Sequence, residues 1–317
     1  MSSTLQQARK DFLALVERLR PDLHRYCARM VGSVIDGEDV VQDTLARGYY
    51  ELSGLQEPPA LRAWLFRIAH NRALDYLRRY ERRMSEPLDP ESDTTTATAS
   101  DQLIDRESDP GLILPREQAV TLAVARFSEL VPTQRSSVIL KDVLDYSLEE
   151  IASALELSIP AVKAALHRGR TRLHALATVD GGVDADVMPP KISPAVRRYA
   201  ALFNARDWDA VRAMLIDDVR LEVMDATSRR GRKEVGVYFS RYAGREGWHM
   251  VAAWLDGREG LAVFDSPQGS GGRPSGGKPV NFIELTVSGD GIAITRIRDF
   301  HHVWYLTADA RIMLART

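Results

Sequence analysis

Cysteine is nearly missing from this chain: Cys27 is the only one in 317 residues. A single thiol excludes an internal disulfide framework and any zinc site built on cysteines. Its place in an apolar helical pattern reads as a small core residue. Net charge is almost absent as well. The chain has 42 basic and 44 acidic residues, a balance of −2, so a nucleic-acid partner has to be argued from local charge. Long apolar runs are lacking. No stretch has the length of a membrane span and the N-terminus shows no leader pattern, so the expectation is a cytoplasmic protein without membrane contact. No motif calls for a cofactor or a metal. What remains is an ordinary apolar content of 44%, enough for buried cores, in a chain whose length suggests two or three domains.

The most informative stretch runs from Leu148 to Leu176. Leu148, Ile151, Ala152 and Leu155 recur at helical spacing, and 157–160 interrupts the pattern. A second helix follows, apolar at Val162, Ala165, Leu166 and Leu173 and basic at Lys163, His167, Arg168, Arg170 and Arg172. Ser158 suits its N-cap, and Pro160 its first turn. Two short helices and a tight turn, the second helix basic, form the pattern of a DNA-reading helix-turn-helix. A plain helical hairpin with a solvated basic side is the alternative.

Upstream, 5–83 has a helical periodicity, interrupted by a loop at 53–59 where Gly54, Pro58 and Pro59 act as breakers. One stripe holds Phe12, Leu15, Val16 and Leu19, and a second holds Leu23, Tyr26, Cys27, Met30 and Val31. A third helix opens with acids at Asp36, Glu38 and Asp39 and carries Val40, Val41, Leu45 and Tyr49. A fourth, 61–80, buries Leu61, Trp64, Leu65 and Ile68. Its other side shows Arg62, Arg67, Arg72, Arg78 and Arg79, with Tyr76 and Tyr80 among them, a composition suited to nucleic acid. Trp64 lies on the apolar stripe and reads as core. The segment 84–111 is acidic and low in apolar residues, which predicts a flexible linker. The expected division is 1–84, an acidic linker 85–111, a helix-turn-helix domain 112–178, a linker 179–192, and a last domain 193–317. That last domain starts with two amphipathic helices (196–203, 208–215) and continues with alternating strands at 219–223, 250–255, 261–264, 280–287 and 292–306. An α+β fold with a curved antiparallel sheet is predicted.

Several motifs in one order carry a resemblance. Asp36–Leu45, Ala63–Arg78, Leu130–Arg135, Tyr146–Ala152 and Val162–Arg168 resemble segments of bacterial extracytoplasmic-function (group IV, sigma-70) sigma factors. This resemblance implies two all-α domains, sigma region 2 and sigma region 4. It implies core RNA polymerase and promoter DNA as partners, with Asp39, Gln42 and Asp43 on the polymerase-binding helix. Ser53 to Arg62 matches the loop that captures a flipped base of the −10 element, and Asn71 the asparagine near that base. Arg62, Arg78 and Arg79 would add contacts there. Lys163, Ala164 and Arg168 match the −35 readers, with His167 and Arg172 beside them. Ala164 departs from the polar residue often found at its place and offers only a methyl, which suits a thymine methyl.

The stretch 193–316 resembles the SnoaL-like (polyketide cyclase) cone fold through Tyr199–Trp208, Leu215–Val219 and Gly231–Val235. A subgroup of these sigma factors carries such a fused domain, where it is taken to regulate the sigma factor in place of a separate anti-sigma protein; in this chain an intramolecular contact with the sigma domains is expected. A cone pocket is expected to draw on Asp225, Trp254, Asp299 and His301, with His249 and His302 as further candidates. Strand alternation would turn His301 and His302 to opposite faces. The resulting expectation is a sigma factor with a fused regulatory domain and no catalysis of its own. Two rivals stay open: a ligand-responsive helix-turn-helix regulator, and a cyclase- or isomerase-like enzyme joined to a DNA-binding module, in which an acid or a His–Asp pair would act as general acid/base.

Overall fold

In the computed structural model of the chain, the described residues are 2–52, 61–84, 124–179, 191–244, 247–265, 278–310 and 312–315. The expected base-capture loop before Leu61 and the acidic linker lie outside them, as does most of the second linker. The chain divides into two compact units, Met1–Gly182 and Val183–Thr317, and each is taken by itself.

The first unit is helical. α1 (Ser2–Val31) runs straight through Pro21, which corrects the reading of two separate stripes. Proline removes one ladder hydrogen bond, yet Leu19, Leu23, Tyr26 and Met30 on either side share one buried face. Their burial outweighs that loss. α2 (Val34–Leu52) opens where the Ser33 hydroxyl accepts from the Asp36 N–H at 3.1 Å. Gly37 lies against α1: a Cβ there would stand 2.5 Å from the Ala28 Cα. Only glycine permits this crossing. Glu38, fully buried, is neutralised by Arg20 at 2.6 Å. α3 (Leu61–Met84) completes the layer, with Trp64 and Phe66 buried and Phe12 edge-on to Trp64 at 6.5 Å. Cys27 is buried, as expected.

After a short 3-10 turn (Val124–Glu129), α4 (Pro132–Val138) begins on its proline and continues into a π-turn (Ile139–Val143). α5 (Leu148–Leu155) and α6 (Ile159–Val179) follow. Ser147 and Glu150 form a reciprocal capping box on α5. Ser158 accepts from the Ala161 N–H at 3.3 Å and caps α6, with Pro160 in its first turn. Glu156 takes a left-handed φ of 55° to make the turn between the two helices.

In the second unit, α7 (Pro194–Asn204) and α8 (Trp208–Ala213) precede the sheet. β1 (Leu215–Val223), β2 (Thr227–Arg230), β3 (Trp248–Leu255), β4 (Arg258–Asp265), β5 (Asn281–Val287), β6 (Ile294–Asp299) and β7 (Met313–Leu314) pair in the order β2-β1-β6-β5-β4-β3-β7. Short helices α9 (Arg232–Gly236) and α10 (Phe239–Ala243) sit between β2 and β3, and α11 (Leu306–Asp309) follows β6. The sheet is mixed: β1 runs parallel to β6, whereas its other pairings are antiparallel. Alternation marks the faces of a strand but not its partner, so the parallel pair was not legible. Bulges near 215–220 and 286–287 add bend. One face packs on Val196, Tyr199 and Phe203 of α7 and on Val235, Phe239 and Tyr242. The Asn204 amide pairs with both backbone groups of Met250 at 2.8 and 2.9 Å, pinning α7 to β3.

Candidate functional site

The helix-turn-helix is held by Ile151, Ala154, Val162, Leu166 and Leu173, all buried. Gly169 lets α6 approach α4, because a Cβ there would meet the Val138 side chain at 2.7 Å. That packing turns Lys163, His167, Arg168 and Arg172 outward and leaves Ala164 half-buried between them. Arg170 does not join this face. Its guanidinium makes a bidentate pair with Asp142 at 2.6 and 2.9 Å, and Asp142 is itself buried. Arg172 reaches Glu129 only at 3.8 Å and stays exposed.

The basic side of α3 is divided. Asn71, Arg78 and Arg79 are exposed, with Arg78 at 3.7 Å from Asp75. Arg62 donates from Nε to the Tyr146 hydroxyl at 2.8 Å, and its guanidinium carbon sits 4.3 Å from the centre of that ring. Arg67 pairs with Glu156 at 3.0 Å. Two of the arginines read as nucleic-acid contacts are therefore engaged by the helix-turn-helix side of the same unit. Deeper in, the His70 Nδ1 lies 2.9 Å from both the Tyr26 and the Ser136 hydroxyls. Burial pushes His70 down to about 4, so the ring stays neutral at physiological pH. The Arg135 guanidinium closes the seam by donating to the carbonyls of Ser128, Met30 and Leu130. On α2, Asp43 is exposed, while Asp39 and Gln42 are half-buried on the flank of the helix.

The second unit holds a cavity of about 150 Å³ lined by Val223, Tyr238, Tyr242, Trp248, Asp299, His301 and His302. Asp299 is buried at the end of β6. Its Oδ2 accepts from the Tyr238 and Tyr242 hydroxyls at 2.5 and 2.8 Å, and its Oδ1 from the Asn281 amide at 2.7 Å and the His301 N–H at 2.9 Å. Burial, with the Asp299 charge beside them, pushes both tyrosines well above the usual phenol range.

Of the four residues expected in a cone pocket, Asp299 and His301 line this cavity. Asp225 is an exposed residue with φ 65° in the tight turn after β1, where the short side chain tolerates the left-handed backbone. Trp254 packs on β3 outside the lining. His249, also on β3, stands opposite Phe264 and lies outside the lining as well. His301 and His302 are not on opposite faces of a strand: β6 ends at Asp299, both lie in the turn after it, and their rings touch at 5.1 Å. Tyr238 and Tyr242 were missed. Their i, i+4 spacing was the available signal. Among the described residues no group of three His, Cys, Asp or Glu could hold a metal ion, and no helix is long and apolar enough to cross a membrane.

Comparison with known proteins finds family matches in both units. Residues 15–83 match the Sigma-70 region 2 family, 123–173 the Sigma-70 region 4 family and 196–304 the SnoaL-like domain. The chain is 33% identical over 219 residues to the ECF RNA polymerase sigma factor SigG of Mycobacterium tuberculosis; the match takes in 64% of this chain and 58% of that one, little more than half the relative's length. Identity to EcfG of Rhodopseudomonas palustris is 30% over 181 residues, covering 56% of this chain and 88% of the relative. For SigW of Bacillus subtilis the figures are 28% over 168 residues, 51% and 86%.

Proposed function

The chain belongs to the ECF RNA polymerase sigma factors, and we propose that it acts as one: it binds core RNA polymerase and directs it to a class of promoters. The observation that carries this reading is one unit with a basic α3 beside a glycine-crossed α2 and a doubly capped helix-turn-helix. Asp39, Gln42 and Asp43 would meet the polymerase. Asn71, Arg78 and Arg79 would contact the −10 element, where an extruded base costs a few kcal/mol that stacking and edge hydrogen bonds must offset. Lys163 and Arg168 would read the −35 element and Ala164 a thymine methyl, with His167 and Arg172 on phosphates. The polymerase supplies the covalent chemistry.

In this reading the Tyr146 hydroxyl and ring compete with DNA for Arg62, and the arrangement in which they hold it would be a closed state. The SnoaL-like domain would shift that balance through contact with the sigma regions. Run-off transcription with core polymerase tests the reading: the chain should support initiation at a subset of promoters, and deletion beyond residue 190 should change its output. No promoter-specific product with any template would refute it.

A further inference from the structure

The cavity in the second unit carries a chemical signature of its own. Asp299 is 1% exposed, and four donors converge on its two oxygens. The Asn281 orientation is fixed, because its own Oδ1 accepts the Phe282 N–H at 2.7 Å. Such a donor set suits a carboxylate. Among the described residues no lysine or arginine pairs with Asp299; Arg298, next in sequence, turns to Glu222 and Glu284.

The tyrosines restrict what else can enter. Tyr242 directs its proton at Asp299, and Tyr238 directs its own at Asp299 or at the Tyr242 oxygen 3.0 Å away. Both phenols keep their protons at neutral pH. They therefore offer the cavity lone pairs and ring faces rather than donors, and a carbonyl or an anionic guest finds no hydrogen-bond donor in them. The rings run on without a gap: Tyr238 to Tyr242 at 5.2 Å, Tyr242 to Trp248 at 5.4 Å and Trp248 to His301 at 5.5 Å. Aromatic faces around a buried negative charge attract a cation. The volume matches that of cavities which take a guest about the size of benzene.

We propose that this cavity is a binding site for a small organic ammonium ion, an alkylated amine of a few carbons, held by the Tyr238, Tyr242 and Trp248 rings and by the charge of Asp299. The site lies within the second unit, and its test does not depend on the promoter and polymerase readings.

The experiment is titration calorimetry on the full chain at pH 8, above the ordinary histidine range. The probes are choline and its neutral isostere 3,3-dimethylbutan-1-ol, which differ in charge and hardly in shape. Choline should bind about tenfold tighter or more, as a desolvated cation–π site allows. Trp248→Leu, which removes a ring at the edge of the cavity, should weaken choline by about threefold to tenfold while the circular dichroism of the fold persists. Asp299→Asn should erase the preference for choline. Equal or tighter binding of the neutral isostere, no binding of choline, or full choline affinity in Trp248→Leu would each overturn the proposal.

Discussion

Tyr146→Phe removes one hydroxyl from the seam between the two helical regions of the first unit. The ring is 1% exposed, lies 5.1 Å from Phe66 and carries the Arg62 guanidinium 4.3 Å from its centre. Those contacts survive in phenylalanine; the 2.8 Å bond from Arg62 Nε does not. A hydrogen bond to a charged donor contributes about 1.5–3 kcal/mol when shielded. Arg62 is exposed, so about 1 kcal/mol is expected here. Arg62→Ala loses the same bond and the cation–π contact, together about 1.5–2 kcal/mol. The double variant should show a coupling of about 1 kcal/mol, since both changes break one interaction. Urea unfolding of residues 1–182 reads this through Trp64, the only tryptophan in that stretch.

Transcription separates the two variants by sign. Freeing Arg62 through Tyr146→Phe should raise output by up to about fivefold at limiting polymerase, the factor that 1 kcal/mol confers. Arg62→Ala should lower output, because the freed position no longer reaches DNA. A coupling below about 0.3 kcal/mol, the ordinary error of additivity, or a fall in output in both variants, would refute the closed-state reasoning.

Three further outcomes are expected. Gly37→Ala places a methyl 2.5 Å from the Ala28 backbone and should cost about 2–4 kcal/mol as α1 and α2 are forced apart, seen as a drop in melting temperature that the gain in helix propensity does not offset. Arg170→Ala leaves Asp142 buried and unpaired, so it should cost about 3 kcal/mol of stability; Arg172→Ala, at an exposed position assigned to a phosphate, should instead spare the melt and lower the salt slope of DNA binding by about 1. His70 titrates at about 4 when folded, pushed down by burial, and near 6.5 when unfolded. Its contribution is therefore fully present above 6.5 and is lost as pH falls toward 4, by about 3 kcal/mol; stability measured from pH 7 to 4.5 should flatten in His70→Gln.

Much of the helical part was legible in the sequence because local rules decide it. Ser158 and Pro160 mark the start of α6 by capping chemistry, and the apolar spacing of Trp64 and Cys27 placed both in the core. The limits were equally physical. Pro21 signals a break, yet one buried face spans it. The parallel pairing of β1 with β6 joins strands about 70 residues apart, and alternation carries no information about such partners. Asp225 and His249 looked like pocket residues because type and neighbourhood suggested chemistry; the turn that holds Asp225 and the strand position of His249 opposite Phe264 became visible only with the backbone. Arg170 looked like one more basic contact until Asp142, 28 positions away, was seen to hold it.

The polymerase-binding role proposed for Asp39, Gln42 and Asp43 on α2 is open to one direct measurement. Size-exclusion chromatography of the purified chain with core RNA polymerase should show co-elution at equal amounts. Reversing Asp39 and Asp43 to lysine should abolish it while the melting temperature stays within a few degrees, as substitutions on a helix flank allow. A chain that elutes apart from core polymerase, or a doubly reversed variant that still travels with it, would contradict the central claim.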